Sequence, residues 1–131
     1  MANRDVGLII DSLSNRFSGT SAPAAGTTCV ASVAAAQNSS NRYNLTSLTY
    51  SLRNATAAAV TYTLSVRDAS IAGTVLWSVD FVQANATGSQ GCFANIDLQG
   101  LRGSGMFAEF GTPVASVTQK ITIAGWGETL L

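Results

Sequence analysis

The sequence predicts an all-β protein, a single antiparallel β-sandwich of about seven to eight strands, jelly-roll-like, with an extended N-terminal arm. Three observations predict it. Thr46 to Arg53 and Val60 to Arg67 alternate apolar residues with small hydroxyl residues, turn-forming residues recur about every 10 to 18 residues from Thr27 onward, and no stretch sustains a helical period. In the first matched stretch Leu48, Tyr50 and Leu52 interleave with Ser47, Thr49, Ser51 and Arg53. In the second, Val60, Tyr62, Leu64 and Val66 interleave with Thr61, Thr63, Ser65 and Arg67. A period of two sends each apolar row to a core and each hydroxyl row outward, so the pair reads as a half-buried hairpin turning at Asn54-Ala55-Thr56.

The first 26 residues differ from the rest and read as the arm, with residues 27–131 as the sandwich domain. Ser21-Ala22-Pro23-Ala24-Ala25-Gly26 has loop or linker composition. Leu8, Ile9, Ile10, Leu13 and Phe17 supply the arm's apolar groups. They suit an extended segment lying on a neighbouring subunit, or equally an edge strand of the chain's own core.

Seven strands are expected at about 27 to 35, 43 to 53, 58 to 67, 73 to 82, 91 to 98, 105 to 110 and 114 to 125. Asn38 to Asn41, Asp68-Ala69-Ser70, Asn85 to Gly88, Gly100 to Gly103 and Gly111-Thr112-Pro113 separate them. In the fourth, Val75, Trp77, Val79 and Phe81 share one side, with Trp77 as a core anchor, and Leu76, Ser78, Asp80 and Val82 share the other. In the last, Val117, Ile121 and Ile123 form the apolar row, which Gln119 interrupts. A jelly roll is the leading topology and an immunoglobulin-like arrangement the second.

Composition bounds the function. Hydrophobic residues make up 47% of the 131 residues and charged ones 11%, with a net charge of zero. The surface is therefore largely Ser, Thr, Asn, Gln, Ala and Gly, which repels neighbours weakly and favours association. Leu8 to Ile10 stop at Asp11, too short for a secretory core or a membrane span, which predicts synthesis in the cytoplasm and no membrane partner. Cys29 and Cys92 are expected to be reduced, with a disulfide as the alternative. The sequons at Asn38, Asn44, Asn54 and Asn85 are expected by chance in a Ser/Thr-rich chain.

Chemistry is sparse. The chain has no histidine, which removes the usual general base and the commonest metal ligand. The seven acids are scattered, and Asp80 with Asp97 is the one conceivable carboxylate pair, less favoured than two exposed strand acids. The expectation is no enzyme, no cofactor and no metal. The Gly100 to Gly105 segment lacks a phosphate-binding lysine, and the seven basic residues are dispersed, which predicts no nucleic-acid partner. Arg53 and Arg67 end the matched strands on the same parity and could meet acids of a neighbour, with solvated strand ends the favoured reading. Tyr43 and Trp126 are the aromatics best placed for exposure and a carbohydrate contact.

Four segments, Asn44 to Asn54, Gly73 to Val79, Gly105 to Pro113 and Thr118 to Trp126, resemble the style of β-sandwich decoration or cement proteins of tailed bacteriophages. The resemblance runs from Tyr43 to Trp126 and implies a structural virion protein on the capsid surface, made in the host cytoplasm. It further implies a homotrimer that bridges subunits of the major capsid protein, with no catalytic residues. The candidate interface residues are Leu8, Ile9, Ile10 and Phe17 of the arm, Arg53, Thr61, Thr63 and Arg67 of the matched strands, and Trp126. The alternative is a carbohydrate-binding or adhesion module of a phage tail or baseplate.

Overall fold

The structure, a computed structural model, describes residues 16–34, 41–69, 72–111 and 114–128. Eight strands follow in order: β1 Arg16–Ser21, β2 Val30–Val33, β3 Arg42–Asn54, β4 Val60–Asp68, β5 Val75–Gln83, β6 Thr87–Gln99, β7 Met106–Phe110 and β8 Val117–Glu128. They form two four-stranded sheets, ordered β1-β8-β3-β6 (the first sheet) and β2-β7-β4-β5 (the second), every pairing antiparallel. Only β4 and β5 are consecutive strands paired within one sheet. The other connections cross the sandwich, which is the jelly-roll arrangement.

That crossing corrects the hairpin expected for the matched strands. β3 pairs with β6 and β8, whereas β4 pairs with β5 and β7, so the two face each other through the core. Asn54 explains why the turn between them crosses over. Its buried amide donates to the carbonyls of Ala58 (2.9 Å) and Gln83 (3.1 Å), and its Oδ1 accepts from the backbone N (3.0 Å) and hydroxyl (2.6 Å) of Thr56. The chain thus folds around a side chain rather than pairing with itself.

The inner rows meet as the alternation requires. Leu48, Leu52, Tyr62, Leu64, Val66, Met106, Phe110, Ile121 and Ile123 are at most 3% exposed. Each large aliphatic side chain so buried contributes about 1.5–3 kcal/mol. A register shift between Leu45 and Ser47 turns Leu45 inward despite its odd spacing from Leu48. Tyr50 completes the core from the half-buried side, with ring centroids 5.2 Å from Phe81, 5.9 Å from Phe93 and 6.2 Å from Phe110.

Some expectations need revision. Residues 16–21, the last strand-forming part of the segment read as an arm or an edge strand, take the edge-strand alternative as β1 along β8; residues 1–15, including Leu8, Ile9 and Ile10, lie outside the described residues. A shift between Val66 and Arg67 makes Leu76 an extra residue in β5, so Val75 is exposed and Leu76 half-buried, the reverse of the expected sides. Trp77 is half-buried rather than a core anchor, standing edge-on to Phe93 at 5.0 Å.

Candidate functional site

Register fixes what the outer face of the first sheet presents. Thr20, Thr122, Thr49 and Cys92 form one cross-strand row, and Ser18, Ala124, Ser47 and Ala94 form the next. With strands about 4.8 Å apart, each row spans about 14 Å. The Thr20 and Thr122 hydroxyls bond to each other at 3.0 Å. A shallow groove of about 520 Å³ follows this face, lined by Thr49, Tyr50, Ser51, Gln90, Gly91, Cys92, Lys120 and Thr122. A second, of about 260 Å³, shares Ser51 and Lys120 with it and continues to Arg53, Gln119 and Pro23. Ser51 pairs with Lys120 and Arg53 with Thr118, so the two cations are diagonal neighbours. No ion pair involving either is found among the described residues.

Gln119, the polar residue in the inward row of β8, is 5% exposed and its Nε2 is buried without a partner. Tyr50 lies flat across Gly91, where any Cβ would stand 2.7 Å from the ring. Strand parity with Leu48 and Leu52, and packing on Phe81, Phe93 and Phe110, put the Tyr50 ring on the core side, so the groove is floored by polar side chains and backbone.

The outer face of the second sheet is different. Arg67 Nε pairs with Glu109 Oε1 at 2.8 Å and its terminal nitrogen donates to the Gly73 carbonyl at 3.0 Å. Thr63 donates to Asp80 at 2.5 Å, and Ser65, paired with Ser78 and Glu109, is only 4% exposed. Arg67 therefore meets an acid of its own chain, which is neither the solvated strand end nor the contact with a neighbour that its position allowed. At the far end of the sandwich Arg42 holds Glu128 at 2.8 Å, and that bond, with Asn44 nearby, draws the Glu128 carboxyl below its ordinary range.

The sequence-predicted interface residues do not gather in one place. Arg53 and Trp126 belong to the outer face of the first sheet, and Thr61, Thr63 and Arg67 to that of the second. Phe17 points inward, its ring edge-on to Tyr43 at 5.1 Å, which also leaves Tyr43 half-buried rather than available to a sugar. Trp126 is 36% exposed. It stands four residues from Thr122, about 13 Å along β8 and outside the groove.

Asp80 and Asp97 project from opposite faces and form no pair. Cys29 and Cys92 are both free. Cys29 is buried before β2, where desolvation pushes its thiol up, and Cys92 lies exposed on β6. Buried Asn44 and Asn54 make two of the four sequons inaccessible in the folded chain. No group of three or more Cys, Asp or Glu with metal-holding geometry occurs among the described residues. Sequence reasoning missed Gln90 and Lys120; the only available signal was their outward parity on strands whose pairing was unknown.

No protein-family model and no curated protein matches the chain. Among solved structures, a family 6 carbohydrate-binding module is 10% identical, with 88% of this chain and 91% of that one covered and a TM-score of 0.42. The CsCBM6-3 module of Clostridium stercorarium in complex with cellobiose is 15% identical, with 84% and 72% covered and a TM-score of 0.37. The coat protein dimer of Tobacco streak virus is 11% identical, with 90% of each chain covered and a TM-score of 0.37. All three are loose, low-identity likenesses. The chain's own topology defines an eight-stranded jelly-roll β-sandwich.

Proposed function

We propose that the chain is a structural virion protein that decorates a phage capsid, bridging major capsid subunits as a homotrimer. The observation that supports this reading is the outer face of the first sheet, where two rows of Thr, Ser, Ala and Cys run across all four strands, and where the one ion pair of this sheet found among the described residues, Arg42 with Glu128, stands at the end of the face rather than in those rows. Removing those hydroxyl and methyl rows from water costs less than removing charges, and the charges of the face, Arg53 and Lys120 among them, flank the rows rather than interrupt them. β8 has 12 residues and β1 six, which makes the face about 40 Å long on three strands and about 20 Å long on the fourth, roughly 500 Å². A standard interface takes about 800 Å² per partner, so a stable contact draws on the sheet edges as well. The capsid as destination comes from the likeness of Asn44 to Asn54 and Thr118 to Trp126 to decoration proteins.

The test is co-sedimentation with undecorated tailed-phage capsids, alongside the native mass of the purified protein. Saturable binding at a fixed copy number, by a species of three times 13.5 kDa, is expected. Absence of binding at every ionic strength would remove the reading.

A second reading, a carbohydrate-binding module, has one observation in its favour. The larger groove offers the hydroxyls of Thr49, Ser51 and Thr122, the Gln90 amide and the Lys120 ammonium to a hydroxyl-rich ligand. It lacks the aromatic platform on which sugar rings stack, since Tyr50 is turned inward and Trp126 lies outside. Glycan-array binding abolished by Gln90→Ala with Lys120→Ala would establish it, and silence across the array would dismiss it.

A further inference from the structure

The two sides of the sandwich close differently. At the β1/β2 side the sheets meet backbone to backbone: a Cβ on Gly19 would stand 2.7 Å from the Ser32 carbonyl oxygen, and Cys29 and Ala31 are buried behind it. At the β5/β6 side the inward residues are large and incompletely covered. Trp77, Val79 and Phe81 on β5 and Phe93, Ile96 and Leu98 on β6 all remain half-buried while packing against the core. β6 is also a sheet edge of 13 residues with a single charge, Asp97, and no proline. Long, nearly uncharged edges with unpaired backbone groups are templates for an added strand.

We infer that this edge receives residues 6–10 of a second copy of the chain, which add as a strand along β6 with Val6, Leu8 and Ile10 covering the half-buried Phe93, Ile96 and Leu98 beside the Trp77–Phe93 contact. The sequence of the occupant fits. Val6-Gly7-Leu8-Ile9-Ile10 has the β-propensity of an added strand and puts Val6, Leu8 and Ile10 on one side, with Gly7 and Ile9 on the other. Its point of departure fits as well. The 15 residues before β1 leave from the edge of the first sheet opposite to β6, and an extended segment of that length spans about 50 Å, well beyond a four-strand sheet. Insertion into a neighbour joins the segment that precedes β1 in one copy to the β6 edge of the next. Repeated, it yields a head-to-tail ring or chain. This inference rests on the assembly reading of the function and names the contact between copies.

The experiment uses full-length chains carrying either Leu8→Asp with Ile10→Asp in the arm or Ile96→Glu with Leu98→Glu at the edge, with native mass as the readout. The wild type is expected above 13.5 kDa, each variant at 13.5 kDa, and an equal mixture of the two at twice that mass, because one arm and one edge remain intact. A monomeric wild type, a variant retaining the wild-type mass, or a mixture that stays monomeric would each overturn the inference. In case the edge variant does not fold, Leu8→Cys with the milder Ile96→Cys, in a Cys92→Ser background, is oxidised with copper phenanthroline. A disulfide-linked ladder absent from either single cysteine variant is expected, and its absence would count against arm exchange. Capsid co-sedimentation of the arm variant separates the two proposals: retained binding leaves decoration standing when exchange fails.

Discussion

β3 and β4 are nearly the same strand in sequence and quite different surfaces in the molecule. Both bury an apolar row, Leu48 and Leu52 in one, Tyr62, Leu64 and Val66 in the other. Both turn a hydroxyl row outward. On β4 that row is already engaged, with Thr63 bound to Asp80, Ser65 covered and Arg67 paired with Glu109. On β3 it opens onto Thr122, Lys120, Gln90 and Cys92, and Arg53 has no ion pair among the described residues. A strand's own sequence fixes which side is apolar, but the neighbours it acquires decide whether its polar side is finished or available. The availability of the β3 face is what supports an assembly role.

The comparison breaks first at the core. Leu48→Ala and Leu64→Ala should each cost about 2–5 kcal/mol in urea unfolding, by similar amounts, because both side chains are fully buried. A large inequality would show that the two strands are not equivalent inside. Next, Asn54→Ala should cost roughly 2–3 kcal/mol, since it strips bonds from the Ala58 and Gln83 carbonyls and from Thr56 where the chain crosses between sheets. The outer rows should then separate. Glu109→Ala is expected to lower stability by about 0.5–1 kcal/mol through Arg67, whereas Thr49→Val should stay within about 0.5 kcal/mol of the wild type. Equal costs at the two positions would erase the distinction between the faces.

The smallest effect is electrostatic. The Glu128 carboxyl is drawn down chiefly by its bond from Arg42, so folding favours its charged form. Its contribution is complete above the ordinary carboxylate range and is lost as pH falls through the lowered folded value. The melting-temperature difference between wild type and Glu128→Gln should therefore shrink on acidification from neutral pH toward and below 4.5, and shrink in high salt as well. A difference that grows with acid would mean the bond does not favour the ionised form.

Much of the fold is legible from alternation alone, because a period of two encodes a buried face whatever the pairing. Seven strands and the sandwich follow from it. The eighth is hard to see because Arg16-Phe17-Ser18-Gly19-Thr20-Ser21 contains one large apolar residue: β1 packs through the bare backbone of Gly19 against Ser32 rather than through a hydrophobic row. The reversal of Val75 and Leu76 is equally invisible, since a bulge changes parity without leaving a composition signal. The same Asn54-Ala55-Thr56 that reads as a hairpin turn is in fact the crossing between sheets, a distinction set by the distant Gln83 carbonyl. The groove on the first sheet depends on β3, β6 and β8 lying side by side, and strand order is a long-range property that no local pattern specifies.

The central claim, that the open β3 face and not its β4 counterpart makes the assembly contact, is tested most directly by charging each face at register partners and measuring capsid binding. Thr49→Glu with Thr122→Glu should weaken binding at least about tenfold, because paired charges must then be desolvated. Thr61→Glu with Val82→Glu, on the second sheet, should leave it within about twofold. Full capsid occupancy by the first variant, or equal loss in both, would contradict the account.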